Sequence, residues 1–157
     1  MTVRDIMTTE APTVSPECVV TELARIMLQH HLPALAVVDN GDGLIGMVRA
    51  NDLVARHARV NVPFYLGLLG AAIPFRSSRE DEEIRHALAV TARDLMETEV
   101  RTLGPDDTVE DAATILVDDE TEAVPVLEGN RVIGLVTESD ILRLLVVEEA
   151  HGTANER

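Results

Sequence analysis

The chain has 157 residues, 46% of them hydrophobic, enough for one compact domain or two small halves sharing a core, and too apolar for a disordered segment. It contains no lysine, so all 13 basic residues are arginines; set against 28 acidic residues they leave a formal charge of -15, a field that repels nucleic acid. The single cysteine, Cys18, excludes an internal disulfide framework and a thiolate metal cluster, no N-terminal segment reads as a cleavable signal, and the uncharged stretch 62–75 is shorter than the roughly 20 residues of a membrane span; a cytoplasmic protein without membrane insertion is expected.

The chain opens with Val3-Arg4-Asp5-Ile6-Met7 and then Thr13-Val14-Ser15-Pro16. Val20, Leu23, Ala24, Met27 and Leu28 follow at the i, i+3, i+4, i+7, i+8 spacing of one apolar helix face. Cys18 falls near the first turn of that helix, where either a lowered thiol pKa or a plain half-buried role is open. His30 and His31 point to different sides of the helix end, a poor metal pair suited to capping or surface roles. Leu35 to Val38 reads as a buried strand, Asn40-Gly41-Asp42-Gly43 as a turn, and Leu44 to Val48 as the returning antiparallel strand. A helix follows from about Asp52.

Residues 59–90 form an insert. Its first part, 60–75, is apolar and holds all three aromatic residues, Phe64, Tyr65 and Phe75. Its second part, Ser77 to Glu83 and on through Ile84, Leu88 and Ala89, is a capped acidic start to a helix. The insert is expected to serve either as a subunit contact or as a lid over a cleft.

Beyond it the chain repeats itself. Val3 to Met7 returns as Ala92-Arg93-Asp94-Leu95-Met96, 89 residues on (3 to 92), and Thr13 to Pro16 returns as Thr102-Leu103-Gly104-Pro105. The helix face returns as Val109, Ala112, Ala113, Leu116 and Val117. The strand pair returns as Ala123 to Leu127 and Val132 to Val136 around Gly129-Asn130, now at an offset of 88 (38 to 126); one residue lost between helix and strand is what a surface connection tolerates. Pro125 places its strand at a sheet edge or beside a ligand, because proline donates nothing to a ladder. The last helix is expected from about Ser139 to Glu149, with Ile141, Leu142, Leu145 and Val146 turned inward and a frayed tail after Glu148. The division expected is 1–58, 59–90 and 91–157.

The chemistry concentrates at Gly134-Leu-Val-Thr137-Glu-Ser-Asp140, where a buried strand turns into a helix. Free N–H groups there attract phosphate, Thr137 can join them, and the Asp140 carboxylate can accept from a ribose diol. The same Thr-x-x-Asp pattern is equally a helix capping pair. Taken with Arg93 to Met96, Thr102 to Thr108, Ala123-Val124-Pro125-Val126 and the echo of each in the first copy, the arrangement resembles the cystathionine-β-synthase (CBS) domain pair, or Bateman module. That resemblance implies an α/β (α+β) fold of tandem repeats, each a small sheet packed by two helices, related by a pseudo-two-fold axis.

It further implies a regulatory module without catalysis or catalytic cofactor, whose clefts bind adenosine compounds such as AMP, ADP, ATP, S-adenosylmethionine or a dinucleotide. Carried over by position, Asp140 would take the ribose hydroxyls and Thr137 the ribose or α-phosphate, while Val100, Thr102, Ala123, Val124 and Pro125 would line the adenine. In the first copy the matching positions include Thr13 and Asp52, but Arg49 replaces the hydroxyl residue and Val37 the proline, so the two sites are not expected to be equivalent. Arg49 either reaches ligand phosphate or pairs with a neighbouring carboxylate, and the same choice is open for Arg4 and Arg93. The resemblance also implies a homodimer and an unidentified regulated protein; the rival is a degenerate pair that binds no nucleotide and serves only as an interaction scaffold. No metal site is expected, and an enzyme acting on nucleotides would need a general base that the sequence does not offer.

Overall fold

The computed structural model describes residues 1–59 and 90–152; residues 60–89 of the insert, with the three aromatics and the segment expected as an acidic helix, and the last five residues lie outside them. The element order is α1 (Val3–Ile6), β1 (Thr13–Val14), α2 (Val20–His30), β2 (Ala34–Val38), β3 (Leu44–Arg49) and α3 (Ala50–Arg59). It then repeats as α4 (Ala92–Leu95), α5 (Val109–Asp118), β4 (Ala123–Glu128), β5 (Arg131–Thr137) and α6 (Glu138–Gly152). The fold is a tandem α+β pair.

In the first repeat β1 lies parallel to β2, which pairs antiparallel with β3. The second repeat keeps only the antiparallel pair β4 and β5, and a single parallel bridge between Leu103 and Val126 stands where β1 would be. Pro125 accounts for the shortening. Its carbonyl accepts from Leu103 N–H at 3.0 Å, and on that same side a proline has no N–H with which to extend the ladder. The strand is therefore at a sheet edge.

Helix ends follow the short polar residues. Thr108 Oγ1 accepts the Asp111 N–H at 3.1 Å while Asp111 reaches back to the Thr108 N–H at 3.2 Å, a reciprocal cap. Asp5 and Asp94 reach back in the same way to Thr2 and Thr91. His31 caps the end of α2 in the left-handed region (φ 52°), its N–H bonded to the Met27 carbonyl, and His30 is exposed beside it.

The lead-ins are exchanged between repeats. α1 docks on the second repeat, with Val3 N–H on the Asp107 carbonyl at 2.8 Å and Arg4 N–H on that of Pro105 at 2.9 Å. α4 docks on the first in the same manner, with Ala92 N–H on Cys18 at 2.8 Å and Arg93 N–H on Pro16 at 2.9 Å. The two cores record the swap: one gathers Leu23, Met27, Leu35, Val37 and Val48 with Ala92, and the other gathers Leu116, Val124, Val126 and Val136 with Val3. Arg4 and Arg93 likewise pair across repeats, with Glu128 and Glu17.

Three apolar faces, on α2, α5 and α6, differ from the periodicity reading. Leu28 and Val117 are exposed, and Ile115 joins the core in the second repeat. On α6 only Ile141 of the four expected residues packs on the core, while Leu142, Leu145 and Val146 are exposed and the helix runs on to Gly152. Spacing identifies an apolar stripe but not the surface that covers it. Among the described residues no helix is long and apolar enough to cross a membrane.

Candidate ligand-binding site

At the turn from β5 into α6 the Asp140 carboxylate is almost wholly enclosed, its side chain 2% exposed. Its Oδ2 accepts the Thr137 N–H at 2.8 Å and the Thr137 hydroxyl at 2.9 Å, and the Asp140 N–H lies 3.3 Å from Thr137 Oγ1. Oδ1 accepts from Thr8 Oγ1 at 3.3 Å and from the Arg143 guanidinium at 2.7 Å. The capping arrangement is thus formed, and it draws in Thr8 from the exchanged lead-in. Arg143 is 72% exposed, and a ligand hydroxyl that took its place on Oδ1 would displace its guanidinium from that 2.7 Å charged hydrogen bond into solvent.

The first repeat builds the turn differently. Asp52 Oδ2 accepts the Arg49 N–H at 3.0 Å, and the guanidinium of Arg49 lies 3.8 Å from the same oxygen and 3.1 Å from Glu97 Oε2. The Arg49 Nε is buried and makes no hydrogen bond. Arg49 therefore occupies the ion-pair alternative, with one partner from α3, the helix that follows it, and one from the second repeat's lead-in.

Beside Arg49 opens a cavity of about 360 Å³. Its floor is apolar and buried: Met47 of β3, Ile115 of α5, Ala123 and Val124 of β4, with Val100 of the lead-in partly covered. Its rim is charged, with Arg49, Glu97, Glu99, Arg101 and Asp119, and Thr121 completes the wall. A second, wider cavity of about 490 Å³ lies between the end of α2, with His31 and Pro33, and the turn Thr137-Glu138-Ser139.

The residues expected to form one cleft are divided. Val100, Ala123 and Val124 gather round Arg49, not round Asp140; Thr137 faces the second cavity, and Asp140 meets Thr8. Pro125 is fully buried opposite Leu135, Thr102 is exposed one residue before Leu103, Thr13 is exposed opposite Ala36, and Asp52 is half-buried at the start of α3. The physical reason is the exchange of lead-ins: each repeat's strand-to-helix turn faces a wall supplied by the other. Thr8, Met47, Glu97 and Arg101 were not among the expected site residues. Gly46 and Gly134 carried a signal for Thr8 and Glu97, since a glycine inside a strand marks close approach of another backbone, and a Cβ there would fall 2.8 Å from the Glu97 carbonyl and 2.7 Å from that of Thr8.

Cys18 is half-buried in the turn ahead of α2, and burial, seconded by the Glu22 carboxylate, pushes its thiol pKa up rather than down. Among the described residues no three His, Cys, Asp or Glu side chains come together as a metal-ligand group.

The CBS domain family matches twice, over residues 3–58 and 92–147. The CBS domain-containing protein YhcV of Bacillus subtilis is 26% identical over 152 residues, covering 97% of this chain and 91% of the relative. Hypoxic response protein 1 of Mycobacterium tuberculosis is 25% identical over 144 residues, covering 92% and 85%. Among solved structures, the CBS domain pair of protein MJ0100 in complex with 5'-methylthioadenosine and S-adenosyl-L-methionine superposes with a TM-score of 0.70 at 23% identity, covering 92% of this chain and 99% of that one. CBSX2 in complex with AMP, a protein of Arabidopsis thaliana, superposes at 0.69 and 21% identity, covering 94% and 98%. At these identities the superpositions establish the shared fold, and with two family matches spanning most of its length the chain belongs to the CBS domain family as a tandem pair.

Proposed function

We propose that the chain is a non-catalytic regulatory module of the cytoplasm that binds an adenosine-containing ligand between its repeats and passes the resulting change of arrangement to a partner. The observation that carries this reading is the cavity beside Arg49. Its volume of about 360 Å³ falls within the range of small-molecule sites, roughly 300–1,000 Å³, and it joins an apolar slot to a polar rim, which is what a purine attached to a sugar requires. The base would lie on Met47, Val100, Ile115, Ala123 and Val124, with the sugar toward Arg49 and Asp52. A second ligand position at Thr137 and Asp140 would open on withdrawal of Arg143. Adenosine compounds in structures of two proteins that share the fold support the ligand class.

Each wall of the cavity belongs to a different repeat, so a ligand that touches both favours one relative arrangement over others, the condition for regulation. The exposed Leu142, Leu145, Val146 and Val147 of α6 offer an apolar surface for a second copy, and a homodimer is proposed. One observation favours the rival scaffold reading: every oxygen of Asp140 already has a partner in the protein.

Calorimetric titration with AMP, ATP, S-adenosylmethionine and adenosine, on wild type, Val100→Trp and Asp140→Ala, separates the readings. Binding abolished by Val100→Trp, which fills the cavity, supports the assignment. Loss only in a folded Asp140→Ala moves the ligand to the other turn, and no binding by any compound leaves the scaffold.

A further inference from the structure

We propose that the cavity beside Arg49 discriminates against phosphate, selecting adenosine compounds whose 5'-substituent is uncharged or cationic, with Glu97 as the residue that sets the preference. The inference rests on the proposed function and concerns what this chain's own rim does to the ligand class.

With the base on the buried floor, the sugar and its 5'-substituent emerge among the charged side chains of the rim. Two are arginines and three are carboxylates, Glu97, Glu99 and Asp119. Both arginines are already engaged. Arg49 lies 3.1 Å from Glu97 and 3.8 Å from Asp52; Arg101 lies 3.4 Å from Asp119 and 4.0 Å from Asp118. A phosphate is held well by a guanidinium that is free to offer two N–H groups at once. Here it would have to take Arg49 from Glu97 and then sit beside the released carboxylate, with Glu99 adding a further negative charge. A thioether, hydroxyl or sulfonium substituent meets none of this repulsion, and a sulfonium gains from the excess of carboxylates. The chain's overall charge of -15 works in the same direction over longer range.

The position of Glu97 makes it the controlling residue. Its backbone is fixed to β3 by two hydrogen bonds with Met47, at 3.0 and 2.9 Å, so its side chain is delivered to Arg49 by the exchange of lead-ins and not by chance contact of flexible loops. Its carboxylate is 53% exposed and can be replaced without opening a hole in the core.

Titration of adenosine and AMP, which differ only in the phosphate, tests the proposal on the full chain, with S-adenosylmethionine and ATP alongside. Wild type is expected to bind adenosine about tenfold or more tightly than AMP, and Glu97→Gln to narrow that ratio by about tenfold through tighter AMP binding with adenosine little changed. Added salt narrows the wild-type ratio as well. AMP binding as tight as adenosine in wild type, or a ratio unmoved by Glu97→Gln, overturns the proposal while leaving the proposed function standing. Unaltered adenosine binding in Val100→Trp overturns it by placing the ligand elsewhere. Failure of all four compounds to bind removes both readings.

Discussion

Gly134→Ala tests how closely the repeats are knitted. Gly134 sits inside β5, and an added Cβ would fall 2.7 Å from the Thr8 carbonyl oxygen and 3.2 Å from Met7 Sδ. The sulfur can move aside, but the carbonyl is part of the backbone bridge in which Thr8 N–H bonds to the Leu135 carbonyl at 2.8 Å and Leu135 N–H to that of Thr8 at 3.1 Å. Relieving the clash separates the two backbones and costs both bonds, about 1 kcal/mol each, with a further fraction for packing lost round Met7. A total of about 2–3 kcal/mol corresponds to a fall in Tm of about 5–10 °C for a chain of this size. Melting followed by far-UV circular dichroism measures it, and Gly46→Ala is expected to behave alike, its added Cβ lying 2.8 Å from the Glu97 carbonyl. Gly129→Ala serves as a control with backbone strain (φ +64°) and no neighbour within 4 Å, expected to cost about 1 kcal/mol. A Gly134→Ala protein melting within about 2 °C of wild type would refute the tight approach of the lead-in.

Three further outcomes are expected. Asp140→Ala removes the reciprocal cap of α6 and strands the buried Thr137 hydroxyl, lowering stability to urea by about 2–3 kcal/mol, whereas Asp118→Ala at the surface changes it little. The Thr2 and Thr91 N–H groups hold the carboxyls of Asp5 and Asp94 below the ordinary carboxylate range, and the Thr108 hydroxyl does so for Asp111. Because these pKa values are depressed on folding, the stabilisation is complete above the ordinary carboxylate value and is lost as pH falls through that value toward the lowered ones. Urea midpoints measured down through this range are expected to fall less steeply for the triple Asn variant than for wild type. Cys18, its thiol pushed up by burial, is expected to react with a disulfide reagent more slowly than free cysteine at neutral pH, with the rate still climbing above the ordinary thiol pKa; reaction at the free rate would place it in solvent.

The duplication, the strand pairs and the helix caps were legible because each is a local matter of spacing and short polar side chains, as at Thr108-x-x-Asp111 and Thr137-x-x-Asp140. Pro125 even indicated the sheet edge. The composition of the clefts was not legible in the same way. Position-by-position transfer kept Val100, Ala123 and Asp140 together because they belong to one repeat, whereas the chain crosses over only after Thr8 and after Glu97 and leaves those walls on the opposite half. Local pattern carries no information on which copy a lead-in will join, except at Gly46 and Gly134, whose missing side chains leave room for a foreign backbone. The outward turn of Leu142, Leu145 and Val146 was hidden for a related reason: an apolar stripe looks the same whether its cover comes from its own chain or from elsewhere.

The exchange of lead-ins also sets a timetable for the nascent protein. Thr8 is bonded to Asp140, 132 positions away, and α1 rests on carbonyls of Pro105 and Asp107. The ribosome delivers the N-terminus first, so the opening helix leaves the exit tunnel with nothing built to receive it, and the first sheet lacks the Ala92 segment that closes its core until the insert has been made. Neither half can be finished before the other. Closing such long loops is the slow part of folding for contacts this far apart, and a synthesis halted at the insert would yield a fragment with an uncovered apolar edge rather than a half-sized working unit.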